Sequence, residues 1–183
     1  MTTDPDHLHR TAKYFMDSGR AATADDAVAF MQHIREISAE PNRLVGFPDE
    51  RAQDEETQGK ILQEIVDDPG HLFAFAMMGG ELIGTIELQW KVGRRRMAHV
   101  ASIGVTVSAG CRRRGIGRML IETIIQQAEE RGLRKIKLEV FAQNQGPILL
   151  YQQLGFRNVG RLRDEVMRND GTYDDVIIME RFL

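Results

Sequence analysis

Cysteine is nearly missing from this chain of 183 residues: Cys111 is the only one. A lone thiol excludes an intramolecular disulfide and a cysteine-built zinc cluster, which suits a reducing cytoplasm. Histidine is sparse, and the five at positions 7, 9, 33, 71 and 99 show no ligand spacing, so no metal is expected. No apolar run is long enough to cross a bilayer. The start, Met1-Thr2-Thr3-Asp4-Pro5-Asp6-His7, lacks the basic and apolar segments of a secretory signal. The excess of one charge is small, a net −3, so nothing draws the whole chain to nucleic acid or to an anionic membrane. What is present is a composition 42% hydrophobic and 28% charged. That balance predicts one globular domain with a real core over residues 13–183, behind a loosely ordered tail over 1–12.

Tyr14 to Arg20 reads as a short first strand. Thr23 then reads as the N-cap of a helix whose stripe is Ala27, Val28, Met31 and Ile34, ended by Pro41. Residues 41–56 form a polar, acidic loop. A second helix is expected from Thr57 to Val66, with Ile61, Leu62, Ile65 and Val66 on its apolar side. Leu72–Met77 and Leu82–Trp90 flank Gly79-Gly80 and predict a hairpin. His99–Val107 is a further strand, with Gly104 marking a bulge or a close backbone approach. A long helix from Gly115 to Arg131 carries Ile116, Met119, Leu120, Ile124 and Ala128 on one side. Lys135–Phe141 follows as a strand parallel to the one before that helix. A short helix starts at Pro147, and Phe156–Leu162 and Tyr173–Arg181 close the chain as a hairpin. The order βααβββαβαββ predicts an α/β fold: a mixed sheet of about seven strands with helices on both faces.

The most informative stretch is Arg112-Arg113-Arg114-Gly115-Ile116-Gly117-Arg118, set between a strand and a helix. Glycines let the backbone turn tightly and bring N–H groups to an anion. The helix start adds the positive end of its dipole, and the arginines add charge. The combination suits a pyrophosphate. A nucleotide P-loop needs lysine and a hydroxyl after the second glycine, and Ile116-Gly117 stand there instead. A dinucleotide fingerprint needs a third glycine where Leu120 stands.

The stretch resembles the acetyl-CoA motif of the GNAT acetyltransferase superfamily, Arg/Gln-x-x-Gly-x-Gly/Ala, as Arg112-x-x-Gly115-x-Gly117. Other segments match in order. Ile103-Gly104-Val105-Thr106-Val107 is similar to the family's bulged fourth strand. Leu138-Glu139-Val140-Phe141-Ala142-Gln143-Asn144 is similar to its fifth strand and exit. Ile148 to Phe156 resembles its Tyr-containing helix, and Arg168 to Asp175 with Met179 resembles its C-terminal hairpin. The resemblance implies a GNAT fold, mostly antiparallel with a parallel βαβ core. It implies acetyl-CoA as co-substrate and direct acetyl transfer to a primary amine through a tetrahedral intermediate.

On that resemblance, Arg112, Arg113, Arg114, Gly115, Ile116, Gly117 and Arg118 hold the pyrophosphate. Val105, Thr106 and Val107 meet the pantetheine arm, with the N–H of Val107 or of a neighbour on the same strand a donor to the thioester oxygen. Asn144 meets the pantetheine amide, and Tyr151 both touches the cofactor and protonates the departing thiolate. Glu139 alternates away from Leu138 and Val140, which fits a base for the amine proton, directly or through water; it equally fits a surface carboxylate paired with Lys135 or Lys137. Glu87 is a substitute base. Tyr151 read without the resemblance is a tyrosine packing its helix on the sheet. Cys111 is not expected to act as a nucleophile. The hairpin resemblance implies a small molecule or amino acid as acceptor; acids in the 49–56 loop and at Asp164, Glu165, Asp170, Asp174 and Asp175 would favour a cationic one, and most of them equally read as ordinary solvated loop charge. Two alternatives stay open: acetylation of a protein N-terminus, as in ribosomal-protein acetyltransferases, and an acetyl-CoA-binding module without turnover. Family members are often dimers, so a homodimer is possible on this reading.

Overall fold

The computed structural model describes residues 24–40, 54–168 and 170–183. The tail over 1–12, the first strand expected at 14–20, the Thr23 cap and the loop from Pro41 lie outside these residues. Helix α1 (Ala24–Ser38) buries Ala27, Ile34 and Ile37, whereas Val28, expected in the stripe, is 49% exposed. Helix α2 (Glu55–Asp67) starts two residues before Thr57. Asp54 caps it, accepting a 2.8 Å bond from the Thr57 N–H, and so satisfies one of the open amides of the first turn. Leu62 faces the core from α2 and Ile61 faces solvent.

Six strands follow among the described residues: β1 (His71–Met78), β2 (Glu81–Trp90), β3 (Val100–Val107), β4 (Lys135–Phe141), β5 (Arg157–Met167) and β6 (Tyr173–Phe182). Helix α3 (Ile116–Glu130) connects β3 to β4, and α4 (Gln145–Gln153) connects β4 to β5. Pro147 lies inside the first turn of α4, two residues after its start, where a missing N–H breaks no helix bond. The sheet order is β1-β2-β3-β4-β6-β5, antiparallel except for β3–β4. This is the mixed α/β sheet with a parallel βαβ core that the element order predicts.

Two apolar layers sandwich the sheet. On one face α3 inserts Ile116, Met119, Leu120, Ile121, Ile124, Ile125 and Ala128 against Ala101, Ile103, Ile136, Leu138 and Val140. Each large aliphatic side chain buried this way contributes about 1.5–3 kcal/mol. On the other face α1 and α2 cover Phe73 and Phe75 around Ala27 and Leu62. Strand β5 runs five residues past the expected end, with a bulge between Leu162 and Val166. Asp175 pins that bulge, accepting from the Asp164 N–H at 2.9 Å and from Arg161 Nε at 2.6 Å.

Two features of β3 position the site. Its register with β2 is unbroken from Ala101 to Val107, so Gly104 is not a bulge. It serves close approach instead: a Cβ there would sit 2.8 Å from Glu87 Oε1. The pairing of β3 with β4 stops after Val100↔Lys135, Ala101↔Ile136 and Ser102↔Lys137. Beyond Ser102 the two parallel strands part, and their facing backbone groups open a split.

Candidate active site

The backbone of β3 decides what the split presents. The Ser108 N–H donates to the Ile83 carbonyl on the β2 side at 2.9 Å. Successive peptides of a strand point alternately, so both the N–H and the carbonyl of Val107 face the split, as do those of Val105. The Val107 carbonyl is filled by Arg112 Nε at 2.9 Å. Its N–H is the donor left at the mouth of the split.

The turn after β3 builds an amide cradle. Residues Ala109–Cys111 form one 3₁₀ turn. Arg113 then adopts φ 59° and Gly115, the N-cap of α3, φ 84°. The first bond that closes α3 runs from the Met119 N–H to the Gly115 carbonyl at 3.0 Å. Among the described residues the amides of Arg113 to Arg118 have no hydrogen-bond partner. Open amides at a helix start form an anion site, and the helix dipole adds to it. Gly117 keeps the surface low; a Cβ there would touch Leu150 of α4 at 3.6 Å.

The arginines divide their work. The Arg112 guanidinium grips both oxygens of Glu40, at 2.5 and 2.6 Å, besides the Val107 carbonyl. It therefore ties the cradle to the end of α1 rather than projecting into it. Arg118 bonds Gln153 at 2.6 Å and joins α3 to α4. Arg113 and Arg114 are exposed, with no ion pair among the described residues.

Tyr151 projects from α4 into the core side of the sheet. It is 7% exposed, and its ring meets Phe156 edge-on at 5.8 Å. Desolvation pushes its phenol up to about 12, so it keeps its proton at neutral pH. The hydroxyl has no partner among the described residues. Asn144 is the N-cap position of α4; its N–H donates to Phe141 and its carbonyl accepts from Ile148 at 3.1 Å. Glu139 is exposed on the face opposite Leu138 and Val140, and it forms no ion pair among the described residues. Lys135, one partner the sequence offered it, is taken by Glu180 at 2.9 Å.

The acids expected to wall the acceptor site mostly have other work. Asp54 caps α2. Asp174, 4% exposed, binds Arg168 and Gln143. Asp170 accepts from the Thr172 N–H and hydroxyl. Asp175 holds the β5 bulge, and its bond from the Asp164 N–H, with that from Arg161, keeps its carboxyl below the ordinary range. Among the described residues two carboxylates stand at the split itself. Continuing the β3–β4 register would set Glu139 opposite Gly104, while Glu87 lies over Gly104 from β2 with Oε2 3.3 Å from His71 Nε2.

Three residues escaped the sequence reading: His33, Glu40 and His71. His33 is 2% exposed on α1; Nε2 bonds Thr106 Oγ1 at 2.7 Å and Nδ1 bonds Ser108 Oγ at 3.1 Å. Thr106 Oγ1 also bonds Thr85 Oγ1 at 2.8 Å. Burial lowers the His33 pKa, with Glu36 opposing and Arg112 reinforcing, so the ring is neutral at pH 7. The signal was a polar residue beside Ile34, on the face that buries Ala27 and Ile37. Glu40 and the His71–Glu87 pair left no signal, because their partners are distant in sequence.

A sequence profile described as "Acetyltransferase (GNAT) family" matches residues 31–156. The chain belongs to the GNAT acetyltransferase family. A Streptococcus pneumoniae acetyltransferase of GNAT family superposes on this GNAT chain with a TM-score of 0.80 at 22% identity, covering 90% of this chain and 98% of that one. A GCN5-related N-acetyltransferase from Kribbella flavida superposes with a TM-score of 0.75 at 28% identity, over 90% and 96% of the two chains. In sequence, the [ribosomal protein bS18]-alanine N-acetyltransferase of Salmonella typhimurium is 40% identical over 75 residues, 41% of this chain and 50% of that protein. Streptothricin acetyltransferase of Streptomyces lavendulae is 29% identical over 127 residues, 69% of this chain and 64% of that protein. The GNAT chain thus spans about half the length of the first of these curated relatives. No helix among its described residues is long and apolar enough to cross a membrane.

Proposed function

We propose that the protein transfers the acetyl group of acetyl-CoA to the primary amine of a small molecule or amino acid. The observation that carries this reading is the continuity of the open β3 edge with the amide cradle. The backbone groups of Val105 and the N–H of Val107 lead along the split, and the amides of Arg113 to Arg118, without partners among the described residues, stand at its end. A pantetheine arm and a diphosphate need donors in that sequence. Acetyl-CoA, when bound, supplies an activated thioester carbon.

The residues divide the proton work. An alkylammonium has a pKa near ~10 and must shed a proton before its nitrogen attacks. Glu139, exposed at the split, takes that proton directly or through water, and Glu87 steadies the ammonium from the other side of Gly104. The nitrogen–carbon bond forms and the carbon–sulfur bond breaks. The Val107 N–H bonds the carbonyl oxygen as negative charge grows on it. Tyr151 gives its proton to the sulfur and is restored by the second proton, which the attacking nitrogen sheds as the carbon–sulfur bond breaks; the first proton passes from Glu139 to solvent. The open carboxylates support a cationic acceptor.

A second reading is acetylation of a protein N-terminus, favoured by the 40% identity over 75 residues to a bS18-alanine acetyltransferase. One experiment tests both. Acetyl-CoA affinity is measured by calorimetry, and CoA thiol release is followed with amino acids, polyamines, aminoglycosides and short peptides. Release with the small amines supports the first reading and release only with peptides the second. Binding without release from any amine would leave a non-catalytic acetyl-CoA module, and absence of binding would defeat all three.

A further inference from the structure

One imidazole holds both neighbours of the residue whose N–H opens into the split. Thr106 and Ser108 flank Val107, and both their hydroxyls bond His33, at 2.7 and 3.1 Å. Thr106 is braced a second time by Thr85 of β2 at 2.8 Å. The Val107 carbonyl is held by Arg112 Nε at 2.9 Å, and Arg112 is itself held by Glu40 at the end of α1. The end of β3 has lost its neighbour on the β4 side, because pairing with β4 ceased at Ser102. A strand released on one edge has few bonds left to fix the direction of its peptides. The second half of α1 replaces those bonds with side-chain contacts.

We propose that His33 is a positioning residue: through Thr106 and Ser108 it fixes the Val107 peptide so that its N–H points at the thioester oxygen of bound acetyl-CoA. This rests on the proposed acetyl-CoA site and adds to it the element that keeps the donor in line. The ring touches neither the cofactor nor the acceptor. A neutral imidazole carries one donor and one acceptor, and the two hydroxyls supply the complementary groups. Such a donor must be aimed before the reaction begins, since a misaligned one loses its advantage when charge develops.

The test uses the full chain and acetyl-CoA labelled with carbon-13 at the thioester carbonyl. Isotope-edited infrared spectroscopy reads the hydrogen bond to that carbonyl directly, without any acceptor. Calorimetry gives the acetyl-CoA Kd of the same samples. Three variants are compared: His33→Asn, Thr106→Val and His33→Gln. Thr106→Val keeps the shape of the side chain and removes its hydroxyl. The Thr106 peptide faces β2 and its hydroxyl is taken by His33 and Thr85, so Thr106, expected against the pantetheine arm, lies away from the split. In His33→Asn and Thr106→Val the bound carbonyl band therefore moves toward its weakly bonded position, while Kd stays within about twofold. CoA release with whichever panel amine turns over falls by about 10- to 100-fold in kcat. His33→Gln, whose amide reaches the Nε2 position, lies between the wild type and His33→Asn. If His33→Asn does not fold, Thr106→Val carries the test. An unchanged carbonyl band in the folded variants overturns the proposal, as does a loss of activity matched by an equal loss of acetyl-CoA affinity. Failure of the wild type to bind acetyl-CoA overturns the cofactor reading, and this proposal with it.

Discussion

At the scale of single residues, the site depends on protons that stay where burial puts them. Tyr151 is held as a phenol because its charged form would lose solvation, and that is the state an acid for a thiolate needs. Replacing Tyr151 by Phe removes the proton and little volume. We expect kcat to fall about 100-fold while the acetyl-CoA Kd from calorimetry changes less than about twofold; equal turnover from pH 6 to 9 would reject the role. Glu139→Gln should lower kcat, with partial recovery as pH approaches the pKa of the amine, because fewer acceptor molecules then need a base. A kcat–pH profile parallel to that of the wild type would instead assign the proton to water. Arg112 has a different task. With both terminal guanidinium nitrogens on Glu40, Glu40→Gln should lower stability by about 1–2 kcal/mol, read by urea titration.

At the scale of elements, the α3 start matters most. Gly115 holds φ 84°, a left-handed geometry that a Cβ penalises. Nothing lies within 4 Å of the added atom, so Gly115→Ala should act through backbone strain alone. It should destabilise by about 1 kcal/mol and weaken acetyl-CoA binding by tilting the open amides. A Kd and an unfolding midpoint that both match the wild type would show that the turn tolerates alanine. The same helix supplies much of the core through its buried stripe. Leu120, 0% exposed, should cost about 2–5 kcal/mol as Ala.

At the scale of the molecule, two buried titratable groups set the pH limits of stability. His33 has a lowered pKa, so the unfolded chain binds more protons at mildly acidic pH. Its contribution is present above its ordinary value near 6.5 and is lost as pH falls through the lower folded value. Tyr151 has a raised pKa, so its contribution is present below the ordinary value of 10 and is lost as pH rises through about 12. Unfolding free energies should therefore form a plateau between about pH 6.5 and 10. In Tyr151→Phe the decline above pH 10 should be shallower; an identical alkaline limb in both proteins would remove Tyr151 from this account.

Local pattern and turn chemistry alone determined the element order from residue 54 onward, the parallel β3–α3–β4 unit, the stripe of α3 and the glycine turn that leads into it at residues 112–118. Each of these is written in neighbours a few residues apart, where periodicity and glycine placement act directly. The acids near the C-terminus found partners only 6 and 14 residues away, Arg168 and Arg161, but strand register rather than sequence distance chose them. Asp174 and Asp175 look like free surface charge until β6 brings Arg168, Gln143 and the β5 bulge beside them. Arg112 looked like a phosphate ligand until α1 placed Glu40 against it, and His33 looked idle until the same helix crossed the end of β3. Gly104 predicted a bulge or a close approach, and only the strand pairing chose between them. Contacts between residues 70 or more apart in the chain depend on how helices lie on the sheet, and that is settled by packing of the whole core.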